Sequence, residues 1–161
     1  MTATERYIDT LRRLKEGELG LLRTHAWQGL DESVQGFDLF TGLWWPLREK
    51  NQFAPRRKVS WLISKIYAAC PLEYVSGATL ARQLRRCQPS ADKERGRFRK
   101  RFDHMLMASL NQIEPSLRWA LNTLAKKDLP VDWVKLTDDL SMWERESTRL
   151  TWAKEILEGN E

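Results

Sequence analysis

Positive side chains occupy the positions from which chemistry could start. The stretch from Lys93 to His104 reads Lys93-Glu94-Arg95-Gly96-Arg97-Phe98-Arg99-Lys100-Arg101-Phe102-Asp103-His104. At helical spacing Phe98, Phe102, Met105 and Ser109 share one face, which leaves Lys93, Arg97, Lys100, Arg101 and His104 on the opposite one. Steps of three and four stack these heads into a row that parallels a run of phosphates. Like charges so placed repel by about 0.2–0.5 kcal/mol per pair, a cost that an anionic partner reverses. The plainer reading is a solvated basic face. Arg82, Arg85, Arg86 and the run Arg56-Arg57-Lys58 lie in the same middle segment and favour a polyanion site.

A second constellation is Lys58, Trp61 and Lys65, placed on the side of a helix away from Val59, Leu62, Ile63 and Ile66. An outward indole between two cations can stack on an unpaired base or sugar, or bury itself against a neighbouring helix or protein subunit. Trp119 similarly faces away from Leu117, Leu121 and Leu124. The chain holds 8 tryptophans in 161 residues, more than one small core needs. Trp61 and Trp119 therefore read as partner-contact surfaces.

Catalytic and metal chemistry find little support. His25 and His104 lie in different helices, and neither has a second His or Cys at ligand spacing. Phosphate-cradling patterns such as GxxxxGK[ST] and GxGxxG are absent. Asp138-Asp139, with Glu144 nearby, reads as a solvated acidic face. Cys70 and Cys87 lack a CxxC partner and read as reduced thiols of a cytosolic protein. The expectation is a non-enzyme without metal or cofactor.

Charge is distributed unevenly. Residues 1–47 carry 5 basic and 7 acidic side chains, residues 48–101 carry 15 and 4, and residues 102–161 carry 7 and 11. A net +11 in the middle third, within a chain of only +5, exceeds what solubility requires and points to a polyanion. An acidic protein surface is the other partner that such charge fits. No basic leader with an apolar core follows Met1, and no apolar run is long enough for a bilayer, so a cytoplasmic location without membrane contact is expected.

The elements that must position these residues are helices, because apolar residues recur at helical spacing and no strand alternation is evident. Thr2 and Glu5 predict a capping box for a first helix carrying Tyr7, Ile8, Leu11 and Leu14 and ending at Gly17. A second helix carries Leu19, Leu22 and Trp27 and stops near Gly29. The third places Val34, Phe37, Phe40 and Trp44 on one stripe before Pro46. Pro55 opens a helix with Val59, Leu62, Ile63, Ile66 and Cys70, which Pro71 ends. A short helix over residues 78–86 precedes the basic helix, which follows Pro89-Ser90 and includes Leu106 and Ile113. Further helices begin near Pro115, at Asp132 (with Trp133, Leu136, Leu140 and Trp143), and around Arg149, Trp152 and Ile156. Eight or nine helices with short Gly- or Pro-marked turns predict an all-α bundle or two small stacked bundles. The boundary is placed at residues 71–77, giving units 1–75 and 76–161. Residues 78–86 followed by Cys87-Gln88-Pro89 and a basic helix also evoke a helix-turn-helix, with a loosely specified turn.

Three stretches, in order, carry a family likeness. The first is Leu14-Lys15-Glu16-Gly17-Glu18-Leu19-Gly20-Leu21-Leu22-Arg23. The second is Leu80-Ala81-Arg82 leading to Arg97-Phe98-Arg99-Lys100-Arg101-Phe102. The third is Val131-Asp132-Trp133 through Leu136, Asp139-Leu140 and Trp143 to Arg149 and Trp152. Together they resemble the CasB-type small subunit of the type I-E CRISPR surveillance complex, Cascade. One departure is that Arg23 is followed by Thr24 where the family often has a second arginine, so no role transfers to that position.

The resemblance implies a non-catalytic, all-helical protein of two small bundles, two copies of which lie head to tail in the complex. Its implied partners are the other Cascade subunits, a second copy of itself, and the target and displaced DNA strands of the R-loop, with guide RNA a further candidate. Non-specific phosphate contacts would tip a near-balanced strand exchange toward the open state, while guide pairing reads the sequence. The alternatives are a free-standing helical transcriptional regulator using residues 78–104, and an adaptor for acidic proteins.

Overall fold

Thr2 opens the first helix with the expected reciprocal cap. Its hydroxyl accepts from the Glu5 amide at 3.1 Å, and the Glu5 carboxylate accepts from the Thr2 amide at 2.9 Å. The computed structural model describes residues 2–24 and 56–158. The expectations for Trp27 to Gly29, for the Val34–Pro46 helix, and for His25 and Pro55 lie outside the described residues. The chain divides into two compact units, Met1–Pro71 and Leu72–Glu161.

In the first unit, α1 (Ala3–Arg12) buries Tyr7, Ile8 and Leu11. It ends earlier than expected, because the amides of Arg13 and Leu14 turn back onto Thr10 and Leu11. The Glu18 carboxylate then accepts from the Lys15 amide at 3.0 Å and starts α2 (Glu16–Thr24). Gly17, expected as a terminator, lies inside α2. The third helix, α3 (Arg57–Ala69), packs on α2 and buries Val59, Ile63 and Ile66 completely. The Tyr7 hydroxyl donates to the Ser60 carbonyl at 2.8 Å and shares a hydrogen bond with the Ser64 hydroxyl, joining α1 to α3. Burial pushes that phenol well above its ordinary pKa.

The second unit holds α4 (Leu80–Arg86), α5 (Asp92–Met107), α6 (Glu114–Ala125), α7 (Trp133–Ser141) and α8 (Glu146–Leu157). Helix α4 packs on α6 and α8, and α5 packs on the same two. The core of this unit includes the buried side chains of Leu84, Phe102, Met105, Leu117, Leu121, Trp133, Leu140 and Trp143.

Loops are fastened by backbone and indole hydrogen bonds. Trp133 Nε1 donates to the Leu72 carbonyl at 2.8 Å, and Trp143 Nε1 donates to the Ala108 carbonyl at 2.9 Å. Asp132 caps α7 through the Lys135 amide at 2.9 Å, while its second oxygen accepts from the Gly77 amide at 2.8 Å. Gly77 sits at φ +89°, where a side chain would be strained. Among the described residues the regular structure is eight helices, with one isolated parallel bridge between Tyr74 and Val131. The all-α expectation holds.

Candidate nucleic-acid interface

Helix α5 separates apolar from basic side chains as its spacing predicts. Phe98, Phe102 and Met105 are buried, whereas Lys93, Arg97, Lys100, Arg101 and His104 are exposed. The apolar stripe is shorter than expected. The helix stops at Met107, Ala108 turns extended, and Ser109 lies exposed beyond it; Ile113 is buried just before α6.

The basic residues of α5 fall into three sets, the third being Arg101 and His104 beside Trp119. Arg95 donates to the carbonyls of Pro89 at 3.1 Å and Ser90 at 2.8 Å, and Arg99 donates to Gln88 Oε1 at 2.8 Å. Those two arginines fasten the preceding loop. Lys93, Arg97 and Lys100 form no ion pair among the described residues. Their charge is left to solvent or to a ligand.

Arg101 lies over the Trp119 ring, its guanidinium carbon 5.0 Å from the ring centre. Phe98 and the same indole form a T-shaped pair, with centroids 5.2 Å apart. Trp119 is half-buried. Together with Lys100, Arg101, His104, Pro115 and Ser116 it lines a cavity of about 320 Å³ between α5 and α6. The cations and Trp119 lie on separate stretches of the sequence. Their meeting depends on the α5–α6 packing, which no local pattern encodes.

The arginines of α4 are engaged within the fold. Arg82 Nε pairs with Glu155 at 3.0 Å, and the Thr79 hydroxyl donates to the same carboxylate at 2.5 Å. Arg85 donates to the Glu158 carbonyl, and Arg86 to Gln83 Oε1 at 3.3 Å. Arg82 and Arg86 keep exposed surface, while Arg85 is half-buried.

In the first unit Arg56, Arg57 and Lys58 are exposed around the start of α3. Trp61 and Lys65 correct an expectation. They do not form an outward face: Trp61 is 5% and Lys65 8% exposed. Lys65 Nζ sits 5.5 Å from the Trp61 ring centre in a cation–π contact. The reason is that α3 is buried on more than one side, including Ser60 and Ser64, so a single apolar stripe does not mark its whole buried surface.

Asp139 also departs from expectation. Rather than facing solvent beside the exposed Asp138, it is buried and accepts from Trp152 Nε1 at 2.8 Å and Lys135 Nζ at 2.8 Å. The hydrogen bond to Asp139 raises the Lys135 pKa against the opposing effect of burial. Cys70 and Cys87 are free thiols, and burial pushes both up in pKa; for Cys87, Lys127 and Arg86 pull weakly the other way. Neither thiol has the depressed pKa of a nucleophile. Among the described residues no group of three His, Cys, Asp or Glu could hold a metal, and no helix is long and apolar enough to cross a membrane.

The family model for CRISPR-associated protein Cse2 matches residues 10–155. A Cse2-family CRISPR-associated protein from Thermus thermophilus superposes with a TM-score of 0.75 at 24% identity, covering 97% of this chain and 98% of that one. CasB from M. ruber gives 0.74 at 20% identity, covering 96% and 92%. CasB from Thermobifida fusca gives 0.71 at 17% identity, covering 96% and 94%. At these identities the solved structures establish a shared fold. No curated protein sequence matches the chain.

Proposed function

This chain belongs to the CRISPR-associated Cse2 family, and on that premise we propose that it is a non-catalytic, nucleic-acid-binding subunit of a type I-E surveillance ribonucleoprotein. In this reading it acts in the cytoplasm in antiviral defence, alongside the other Cascade subunits and a second copy of itself. It stabilises the target and displaced DNA strands of the R-loop, and guide RNA is a further contact.

The observation that carries the reading is the exposed row Lys93, Arg97 and Lys100, backed by buried Phe98, Phe102 and Met105. Such a row is fixed by its helix and reads no base edge. It therefore supplies sequence-independent affinity through counterion release. That suits a process in which guide pairing selects the target and the heteroduplex is about as stable as the duplex it replaces. A small gain from phosphate contacts then decides whether the strands stay apart. Arg56, Arg57, Lys58, Arg82, Arg85 and Arg86 add positive potential on their own units, the α4 arginines less freely because each already holds an acceptor.

The test is binding of the purified full chain to several unrelated DNA sequences across a salt series. The reading expects weak affinities that agree among sequences and whose logarithm falls linearly with log salt. Affinity confined to one operator-like sequence would instead establish a transcriptional regulator. Absence of binding at low salt would leave an adaptor for acidic proteins.

A further inference from the structure

We infer that the cavity between α5 and α6 is a pocket for one unpaired base of a single-stranded nucleic acid, with the Trp119–Arg101 stack as its platform. This rests on the nucleic-acid reading above and names what the α5 surface takes beyond phosphate. Three observations converge on it. The first is size, since about 320 Å³ lies in the range of small-ligand pockets. The second is the aromatic wall: Trp119 is half-buried, in a T-shaped contact with Phe98, and overlaid by the Arg101 guanidinium. A planar cation on an indole extends the stacking surface, because bases stack on guanidinium planes as well as on aromatic rings.

The third is charge. Lys100 and His104 line the same cavity from consecutive turns of α5, and Lys100 forms no ion pair among the described residues. A strand running along Lys93, Arg97 and Lys100 would reach the cavity at Lys100, which is both in the row and in the lining. A base turned inward there stacks on the Arg101–Trp119 pair while its flanking phosphate stays against Lys100. A base held in a duplex is already stacked and has no free face to offer. The pocket thus distinguishes an opened strand from a closed one, which a row of cations alone does not.

The experiment measures binding of the full chain to a thymidine oligomer, the matching uridine oligomer, and an abasic oligomer of equal length and charge. Wild type should bind a base-bearing strand more tightly than the abasic one, by on the order of tenfold. Trp119→Leu should erase that preference while keeping the salt slope, and Trp119→Phe should restore most of it. Thermal melts of both variants verify folding, because Trp119 also touches Phe98. A preference for either the thymidine or the uridine strand supports the pocket, and the tighter one identifies the strand as DNA or RNA. Equal binding of base-bearing and abasic strands by wild type, with a normal salt slope, overturns the pocket and leaves the phosphate-binding reading standing. Failure of every strand to bind at low salt overturns both.

Discussion

Asp139 on α7 accepts the indole proton of Trp152 on α8 at 2.8 Å, with both groups buried. The carboxylate also takes the Lys135 ammonium at 2.8 Å, so one side chain joins two helices of the second unit. Asp139→Ala leaves a buried indole donor without its acceptor and should cost about 1–3 kcal/mol. Asp139→Asn keeps an oxygen for Trp152 and gives up only the half-exposed Lys135 pair, so its effect should stay within about 1 kcal/mol. Urea denaturation of the two variants measures the difference.

Trp61 should behave as a core residue. Its near-complete burial predicts that Trp61→Ala destabilises by about 3–5 kcal/mol, the usual cost of deleting a large buried aromatic. A melting experiment checks it. A variant with wild-type stability that failed only in assembly would make Trp61 a partner contact after all.

Arg82 should be read through Glu155. Glu155 is 6% exposed, and its carboxylate holds Arg82 and Thr79. Arg82→Ala therefore leaves a buried charge short of a donor, at a cost of about 1–2 kcal/mol because Arg82 itself is half-exposed. Chemical denaturation of Arg82→Ala beside Arg82→Ala/Glu155→Gln separates the terms: the double variant should recover part of the stability.

What was legible in advance depended on whether the cause was local. The Thr2–Glu5 box, the Asp132 cap and the α5 segregation of Phe98, Phe102 and Met105 from Lys93, Arg97 and Lys100 all follow from spacings of three and four. Each was readable without the fold. Gly17 misled because a glycine suits a helix end, yet the turn at Arg13 and Leu14 closes first and a Cβ at Gly17 would meet nothing within 4 Å. Burial of Trp61 is one of the two readings its sequence allows, whereas burial of Lys65 was not legible, since Lys58 and Lys65 beside Trp61 mark a polar face by local pattern and only the packing encloses Lys65. Nor was the Trp119 cavity, whose walls come from two separate helices and meet only through their packing.

The cysteines offer a pH-dependent check. Burial raises both thiols, so at about pH 8 each holds less thiolate than a free cysteine and should alkylate more slowly. Cys87, at 6% exposure, should be the slower, and reaction should accelerate only as pH climbs past the ordinary thiol range. Mass spectrometry after timed iodoacetamide treatment reads this directly. Faster reaction than a model thiol under the same conditions would contradict it.

The central claim is that α5 presents a phosphate-binding row, and its most direct test is the salt dependence of DNA binding by the variant in which Lys93, Arg97, Lys100 and Arg101 are all changed to Gln. Lys93, Arg97 and Lys100 point away from Phe98, Phe102 and Met105, and within the fold the variant gives up only the Arg101 contact over Trp119, worth about 0.5–1 kcal/mol at an exposed site, so it should stay folded with a melting temperature only a few degrees below wild type. Affinity should fall for DNA of every sequence, and the log–log salt slope should flatten by roughly 0.7–0.9 for each phosphate that the variant no longer neutralises. Wild-type affinity and slope in a folded quadruple variant would contradict the account.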